Sequence, residues 1–378
     1  MTPDALAGGV DLDDAHALEQ ADPGGMLRAV ASSAAQVREA GVLAAEAGVP
    51  GLAEEGRPRA VVVCGMGGSG IAGDVLAGVT GLGCPAPVLT HRGHGLPAWV
   101  GAADLVIAVS CSGRTEETLS ALSEAVRRGC RLLVVGAADS PLVELAVRGR
   151  AVFVPVPQGR QPRASLWSLS VPLVVAASAL GLLPAGDGLQ ETADVLERVA
   201  TACRADADSL VNPAKSLALE LDGTLPAIWG TSPLTGTAAY RFACQLNENA
   251  GAPATWGGLP EAGHNQIVVL DGPWVPEQDA DVFRDRVDEP DRQALRLVLL
   301  RDSEELPEVT RRAQACVDLA GGRGVRVSSL TTEGSTPLAR LASLVGLTDF
   351  ASVYLALLQG TDPTPVAAIT ELKRRIDA

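Results

Sequence analysis

A glycine-rich stretch, GMGGSG at residues 65–70, contains the pattern G-x-G-x-x-G in Gly65, Gly67 and Gly70. Such a loop lets backbone N–H groups approach a phosphate, and the same pattern opens dinucleotide-binding folds. Those folds also need an acidic residue at the end of the second strand, about 20 residues further on. The stretch expected there, PVLTHRGHG, has no carboxylate, although Arg92 could accommodate the additional phosphate of NADP. The sequence therefore favours a loop that binds a phosphate group of a ligand other than a dinucleotide. The glycines are not followed by G-K-[ST], which excludes a P-loop.

A second loop, SCSGRTEET at residues 110–118, carries three hydroxyl side chains within six residues. It precedes a helical pattern, and the free N–H groups and dipole of a helix N-terminus attract anions. Ligands of open parallel sheets bind beyond the carboxyl ends of the strands, where both loops are expected. The serines could instead only cap the helix, but one hydroxyl suffices for a cap. The residues predicted to form a phosphate cradle are Gly67, Gly68, Ser69, Ser110, Ser112 and Thr115.

These loops belong to a strand–helix alternation that starts near residue 59. Continuous apolar runs at 60–64 and 105–109 are typical of strands buried on both faces, and further strands are predicted at 131–135 and 151–155. Helical patterns between them predict βαβ order, and therefore a parallel sheet with helices on both sides.

A second alternation follows with strands predicted at 227–230, 267–270 and 295–300 and a helix over 237–249. The repeated element order predicts an α/β protein with two doubly wound parallel-sheet domains and flanking helices. The predicted divisions are a helical segment over 1–55, a first domain over 56–200 and a second domain over 201–378.

Composition limits the kinds of partner. The net charge of −15 disfavours nucleic acid and anionic membrane surfaces, but local N–H groups can still hold a small phosphorylated ligand. No segment is expected to be long and apolar enough to span a membrane; the longest candidate, 166–183, is interrupted by serines and a proline. The acidic N-terminus is unlike a signal peptide, so a soluble cytoplasmic protein is expected. The seven cysteines never form C-x-x-C and are expected to be free thiols.

Several segments together resemble the sugar isomerase (SIS) fold, and more closely the bifunctional phosphoglucose/phosphomannose isomerase family. The resemblance rests on GMGGSGIAGD, VSCSGRTEETL, QPRASL, NENAGAPATWGGLPEAGHNQIV and the C-terminal stretch that ends in ITELKRRI. It covers nearly the whole chain except residues 271–293. It implies two SIS domains and reversible isomerisation of glucose 6-phosphate and mannose 6-phosphate with fructose 6-phosphate. It implies neither cofactor nor metal, and no compact metal-ligand cluster is visible in the sequence.

Aldose–ketose isomerisation needs a base for the proton that moves between C1 and C2, a group that stabilises the enediolate, and an acid/base that opens the ring. The resemblance implies that Glu248 transfers the proton and that Arg163 stabilises the charge. It implies that His264 and Lys373 assist ring opening. In related isomerases the histidine comes from the neighbouring subunit, which implies a homodimer with shared active sites. Without the resemblance, each of the four would be interpreted as a solvated surface residue.

Two other functions remain open: a catalytically silent sugar-phosphate-binding regulator on the same fold, and an isomerase of another phosphosugar. Two departures from the family bear on substrate preference. Arg114 replaces a small or amide residue in the hydroxyl loop. Gly257 and Gly258 stand where the family often has an asparagine–glutamate pair.

Overall fold

Short apolar runs form the strands, and segments with apolar residues every three to four positions form the helices. The computed structural model describes residues 9–183, 186–276 and 293–376. The strands in these residues are β1 (Val61–Cys64), β2 (Val88–His91), β3 (Leu105–Ser110), β4 (Arg131–Gly136), β5 (Val152–Pro155), β6 (Thr224–Gly230), β7 (Thr255–Gly258), β8 (Ala294–Arg301) and β9 (Arg326–Thr331).

The α-helices in the same residues are α1 (Ala15–Ala21), α2 (Met26–Ala31), α3 (Ser33–Glu46), α4 (Gly67–Thr80), α5 (Glu116–Arg127), α6 (Pro141–Arg148), α7 (Leu166–Ala179), α8 (Leu189–Ala202), α9 (Pro213–Leu221), α10 (Pro233–Ala250), α11 (Ala262–Asn265), α12 (Pro307–Gly322), α13 (Pro337–Leu358) and α14 (Ala367–Ile376). Short 3-10 helices span Val49–Glu55, Pro162–Ala164 and Gln266–Asp271.

The described residues among 31–198 and 333–343 form one unit, which we call the five-stranded unit. Its strands are all parallel, in the order β2-β1-β3-β4-β5. Val61 and Val63 pack in one apolar cluster with α4 and α7, whereas Val62 and Cys64 pack in a second cluster with α5 and α6. Alternate residues of one strand therefore contact helices on opposite faces, which confirms the predicted doubly wound sheet.

The described residues among 1–30, 199–332 and 344–378 form the four-stranded unit. Its strands are also parallel, in the order β7-β6-β8-β9. Trp229 and Leu297 pack with Ala313 and Cys316 of α12, and α10 contacts β6, β7 and β8. The chain thus contains two parallel sheets with flanking helices, as predicted. The domain boundaries proposed after residues 55 and 200 stay a prediction.

Two strand assignments differ from the sequence prediction. The strand predicted over 267–270 is wrong, because this segment lies in the 3-10 helix Gln266–Asp271. Its four apolar residues are too few to reveal a period; Leu270 is buried, whereas Val268 is 63% exposed. Conversely, the edge strand β7 was not predicted, since two of its four residues are glycines, which are depleted in strands.

The expectation that no segment is apolar enough to span a membrane is also wrong for α13. This helix has 22 residues and a mean hydropathy of 1.8, and 89% of the apolar window is buried inside the protein. Because this window is almost entirely buried, α13 is a core helix. The seven cysteines are free thiols, as predicted.

Candidate functional site

The glycine loop is shaped by close backbone packing. A Cβ atom on Gly65 would lie 2.9 Å from the carbonyl oxygen of Ser69 and 3.0 Å from that of Val109. A Cβ atom on Gly70 would lie 2.7 Å from the carbonyl oxygen of Gly65. Gly67 has φ of +53°, in the region that favours glycine. The G-x-G-x-x-G pattern is thus explained by the turn from β1 into α4 and by the proximity of β3, without a dinucleotide.

Arg92, the residue that could have bound the additional phosphate of NADP, is held in contacts with the protein itself. Arg92 forms an ion pair with Asp74 on α4, and the Thr90 hydroxyl donates to Asp74 Oδ1 at 2.8 Å. The guanidinium is therefore held beside α4, which disfavours the NADP alternative.

Hydrogen bonds join the glycine loop to the hydroxyl loop and connect residues within the hydroxyl loop. The backbone N–H of Cys111 donates to Ser69 Oγ at 3.2 Å, and Ser110 Oγ lies 3.0 Å from Thr115 Oγ1. Ser69 is 8% exposed and Ser110 is fully buried, whereas Ser112 is exposed. Because β1 and β3 are adjacent and parallel, both loops lie at the carboxyl edge of the sheet.

The hydroxyls do not act as helix caps here. Thr115 occupies the N-cap position of α5, but its side chain makes no cap hydrogen bond in the described structure. Met66, the N-cap residue of α4, likewise makes none. The N–H groups in the first turns of these helices consequently receive no acceptor from the cap side chains. Two N-termini without side-chain caps lie beside clustered hydroxyls and form a donor-rich place for an oxyanion, although the first turn of α5 also carries Glu116 and Glu117.

The turn that carries Arg163 lies next to this place. Arg163 is 8% exposed and belongs to the 3-10 turn Pro162–Ala164. The carbonyl oxygen of Pro162 lies 3.9 Å from the position that a Cβ atom on Gly68 would take. Within the five-stranded unit, the fold therefore brings the predicted cradle and the Arg163 turn together.

Glu248 lies in the last turn of α10, half-buried, in the four-stranded unit. The helix is tied to α13 by buried polar contacts on a neighbouring face. Arg241 donates to Asp349 from Nε at 2.9 Å and from Nη2 at 2.7 Å, and Asn249 Nδ2 donates to Ser352 Oγ at 2.8 Å. Burial raises the pKa of Asp349, against the opposing effect of Arg241. These contacts fix the end of α10 from which Glu248 projects.

His264 is exposed on the four-residue helix α11. The adjoining Gln266 fixes this segment to the edge of the sheet: it accepts a hydrogen bond from Trp229 Nε1 at 2.8 Å and donates to the Trp256 carbonyl at 3.2 Å. A Cβ atom on Gly257 would lie 2.7 Å from the Gln266 amide. The glycine in this position, a departure from the family pattern, thus leaves room for the Gln266 side chain.

The two lysines have opposite environments. Lys373 is exposed on α14, a helix without buried residues. Lys215 is fully buried, and its Nζ donates to the carbonyls of Ala205 at 2.8 Å and Ala207 at 2.7 Å. Burial lowers the pKa of Lys215, although the nearby Asp13 opposes this. Lys215 is therefore bound to the protein's own backbone, and Lys373 is the lysine available to a ligand.

Comparison with known proteins decides the family. The model of the bacterial phospho-glucose isomerase C-terminal SIS domain matches residues 210–376. A bifunctional phosphoglucose/phosphomannose isomerase from Caldicellulosiruptor bescii is 35% identical over 84% of this chain and 89% of its own length. The corresponding enzyme from Aquifex aeolicus is 32% identical over 84% of this chain and 90% of its own length. The chain belongs to the bifunctional phosphoglucose/phosphomannose isomerase family.

Other relatives show how widely this fold is used. A D-glucosamine-6-phosphate 4-epimerase from Sulfolobus acidocaldarius is 30% identical over 54% of this chain and 61% of its own. A hypothetical protein from Thermus thermophilus has a TM-score of 0.70 at 16% identity, covering 97% of this chain and 94% of its own. The C-terminal domain of glucosamine-fructose-6-phosphate aminotransferase from Francisella tularensis has a TM-score of 0.64 at 12% identity, covering 90% and 98% respectively. These two structures support the SIS fold alone.

The second sheet of this family member differs from the first at its carboxyl edge, a feature that sequence analysis missed. Ser232 and Thr235 form a capping box at the start of α10, and the Ser232 hydroxyl donates to Asp302 at 2.8 Å. Thr231 Oγ1 donates to Glu305 at 2.7 Å. The edge that would correspond to the cradle thus already holds two carboxylates of the chain itself. The acidic residues directly after β8 were the available sequence signal.

Arg114, the departure in the hydroxyl loop, is exposed and extends over the neighbouring strand end. Its Nη2 lies 3.4 Å from the carbonyl oxygen of Asp139, which follows β4, and its backbone N–H donates to Ser112 Oγ at 3.3 Å. The long side chain is directed toward the end of β4, so it does not fill the space between the glycine loop and the hydroxyl loop.

Proposed function

We propose that this chain catalyses the reversible isomerisation of glucose 6-phosphate and mannose 6-phosphate with fructose 6-phosphate. The observation that carries the proposal is the joined pair of loops at the edge of the five-stranded sheet, where Ser69 and Cys111 are hydrogen-bonded beside two uncapped helix N-termini. The relatives from Caldicellulosiruptor bescii and Aquifex aeolicus are named for this activity, and the match covers most of their length.

In the proposed complex, the phosphate lies between the glycine loop and the hydroxyl loop. Backbone N–H groups and the hydroxyls donate to its oxygens, so that no metal ion is needed to hold it. At the corresponding edge of the second sheet, the hydroxyls of Ser232 and Thr231 already donate to the carboxylates of Asp302 and Glu305. The contrast supports one phosphosugar for each chain, in the five-stranded unit. The residues assigned to the cradle are Gly67, Gly68, Ser69, Ser110, Ser112 and Thr115.

The proposed chemistry passes through one cis-enediolate. Glu248 takes the proton from C2 of the open-chain aldose and returns a proton to C1, while the proton of the C2 hydroxyl passes to O1, so that the aldehyde becomes a hydroxyl and C2 becomes the ketone. Arg163 stabilises the negative charge on the enediolate oxygens, since a guanidinium keeps its proton. Glucose and mannose 6-phosphates differ only at C2, so both give the same intermediate. His264 and Lys373 assist ring opening.

We further propose a cytoplasmic homodimer with shared active sites. His264 and Lys373 are both exposed in the single chain, which is compatible with delivery of a side chain to a neighbouring subunit. The acidic net charge of −15 disfavours nucleic acid and anionic membranes as partners.

The test is a coupled assay that offers fructose 6-phosphate to the wild type, to Glu248→Gln and to the exposed control Glu308→Gln. We expect both aldose phosphates from the wild type and the control. We expect turnover to be lost in Glu248→Gln while phosphosugar binding is retained. Binding without turnover in the wild type would instead support a regulator. Turnover of glucosamine 6-phosphate alone would support a chemistry like that of the 4-epimerase relative.

A further inference from the structure

We infer that Gln36 is a positioning residue for Arg163, and this inference rests on the proposed function. Gln36 lies on α3, far from the cradle in sequence, and is 1% exposed. A fully buried amide must find partners for its donors and its acceptor, because an unsatisfied buried polar group destabilises the fold. The partners of Gln36 are all polar groups in two segments of the five-stranded unit.

The decisive contact is with the turn that carries Arg163. Gln36 Nε2 donates to the carbonyl oxygen of Ala164 at 2.7 Å, in a buried environment and across 128 positions of sequence. The same nitrogen donates to Ser32 Oγ at 3.0 Å. Ala164 directly follows Arg163, so the amide holds the peptide adjacent to the guanidinium-bearing residue.

A second chain of contacts fixes the other end of the same segment. Ser168 Oγ donates to Gln36 Oε1 at 3.3 Å, and Arg160 Nη1 donates to Ser168 Oγ at 3.0 Å. Arg160 also forms an ion pair with Glu39, one turn further along α3. Residues 160 and 164, which lie on either side of Arg163, are thereby connected to α3 through Gln36 and Glu39.

Local hydrogen bonds also act within this turn. It is a three-residue 3-10 segment closed by local bonds: the Ser165 hydroxyl and the Ala164 N–H both donate to the Gln161 carbonyl. Such local bonds set the shape of a turn but not its place on the sheet. The hydrogen bond from Gln36 holds the turn in its position next to the glycine loop at Gly68.

The consequence is specific to catalysis. Arg163 is assigned to the charge that develops on the enediolate, whereas the phosphate is held by the two loops. A shift of the turn would therefore weaken transition-state stabilisation and leave ground-state binding of the phosphate largely intact. A role in stability alone would not separate kcat from KM in this way.

The test compares Gln36→Leu with Gln190→Leu, an exposed glutamine bonded only within α8 to Asp194 in the described structure. We expect kcat of Gln36→Leu for fructose 6-phosphate to fall at least about tenfold, since a displacement near 1 Å can cost about a hundredfold. We expect KM to change by less than about twofold. The control variant should match the wild type in both constants.

A double-variant cycle with Arg163→Ala completes the test. We expect Gln36→Leu to lower kcat little further once Arg163 is removed, because the two act as one unit. Equal losses with and without Arg163, or an unchanged kcat in the single variant, would overturn the inference. Should Gln36→Leu fail to fold, Ser168→Ala removes the support of the Gln36 oxygen and is judged by the same cycle. A wild type without turnover would reject the proposed function itself, whereas an active wild type with an unaffected Gln36→Leu rejects only this inference.

Discussion

The hydrogen bond from the Cys111 backbone to Ser69 Oγ, at 3.2 Å, joins the ends of two adjacent parallel strands. Ser69 lies in the first turn of α4, which follows β1, and Cys111 follows β3 directly. The contact uses one lone pair of the Ser69 oxygen and leaves its own proton available as a donor. A single serine thus sets the spacing of the two loops and can still bind a ligand.

Removing this hydroxyl should weaken substrate binding more than chemistry. We expect Ser69→Ala to raise KM for fructose 6-phosphate at least about tenfold, because a hydrogen bond to a charged group contributes about 1.5–3 kcal/mol. The kcat should stay close to that of the wild type. Steady-state kinetics check this, with the exposed Ser123→Ala on α5 as the matched control. A fall in kcat at constant KM would contradict the assignment of Ser69 to the phosphate.

The buried pair Arg241–Asp349 should matter for stability. Asp349→Ala leaves the Arg241 guanidinium buried without its bidentate partner, and breaking such a pair costs about 3–5 kcal/mol. Denaturant-induced unfolding measures the loss. The exposed ion pair of Glu371 with Arg374 provides the control, since Glu371→Ala should change the free energy of unfolding far less than Asp349→Ala. Equal effects of the two substitutions would refute this account of α10.

The stability of the four-stranded unit should depend on pH through Glu305. Burial raises the pKa of this carboxyl, but hydrogen bonds from Arg301, Thr231 and Thr310 outweigh it and hold the pKa below its usual 4.5. A carboxyl with a lowered folded-state pKa contributes stability that is fully present above pH 4.5 and is lost as the pH falls through the folded value.

Comparison of the wild type with Glu305→Gln tests this sign. We expect the variant to unfold more easily at pH 7, and we expect the difference in free energy of unfolding to shrink as the pH falls below 4.5. Denaturant titrations at several pH values measure it. A difference that is constant from neutral to acidic pH would show that the carboxylate charge is not the stabilising feature.

The glycine pair of β7 offers a matched test of local packing. A Cβ atom on Gly257 would displace the Gln266 amide and leave the buried Trp229 Nε1–H without its acceptor, whereas a Cβ atom on Gly258 meets nothing within 4 Å. We expect Gly257→Ala to lower the free energy of unfolding by about 1–3 kcal/mol. Gly258→Ala should be close to neutral. Equal thermal shifts in the two variants would show that Gln266 adapts freely.

The sequence was informative about the fold wherever apolar runs were long or flanked by clear helices. β1 and most of β3 and β4 consist of consecutive apolar residues that are buried, and their order predicted a parallel sheet. The segment at 267–270 shows the limit: four apolar residues fit a strand and a 3-10 helix equally well, and tertiary packing decided between them. The glycines of β7 concealed a strand that exists because β6 offers it a partner.

The site was predictable in part for the same physical reason. Hydroxyls and glycines after apolar runs indicate a ligand edge, because strand order places such loops together. Gln36 could not be identified, since a single glutamine on an apolar helix face has no pattern of its own. Its importance lies in a hydrogen bond across 128 positions of sequence. Asp302 directly follows β8 and was visible as an acidic residue, but its pairing with Ser232, which follows a different strand, was not.

The most direct test of the central claim is incorporation of solvent deuterium, followed by NMR in heavy water with fructose 6-phosphate as substrate. The proton held on the Glu248 carboxyl exchanges with solvent before it returns to carbon, so transfer through a shared cis-enediolate predicts deuterium at C2 of a fraction of both glucose 6-phosphate and mannose 6-phosphate, and predicts neither product from Glu248→Gln. Formation of both aldoses by Glu248→Gln at the wild-type rate, with the same deuterium content, would contradict the account.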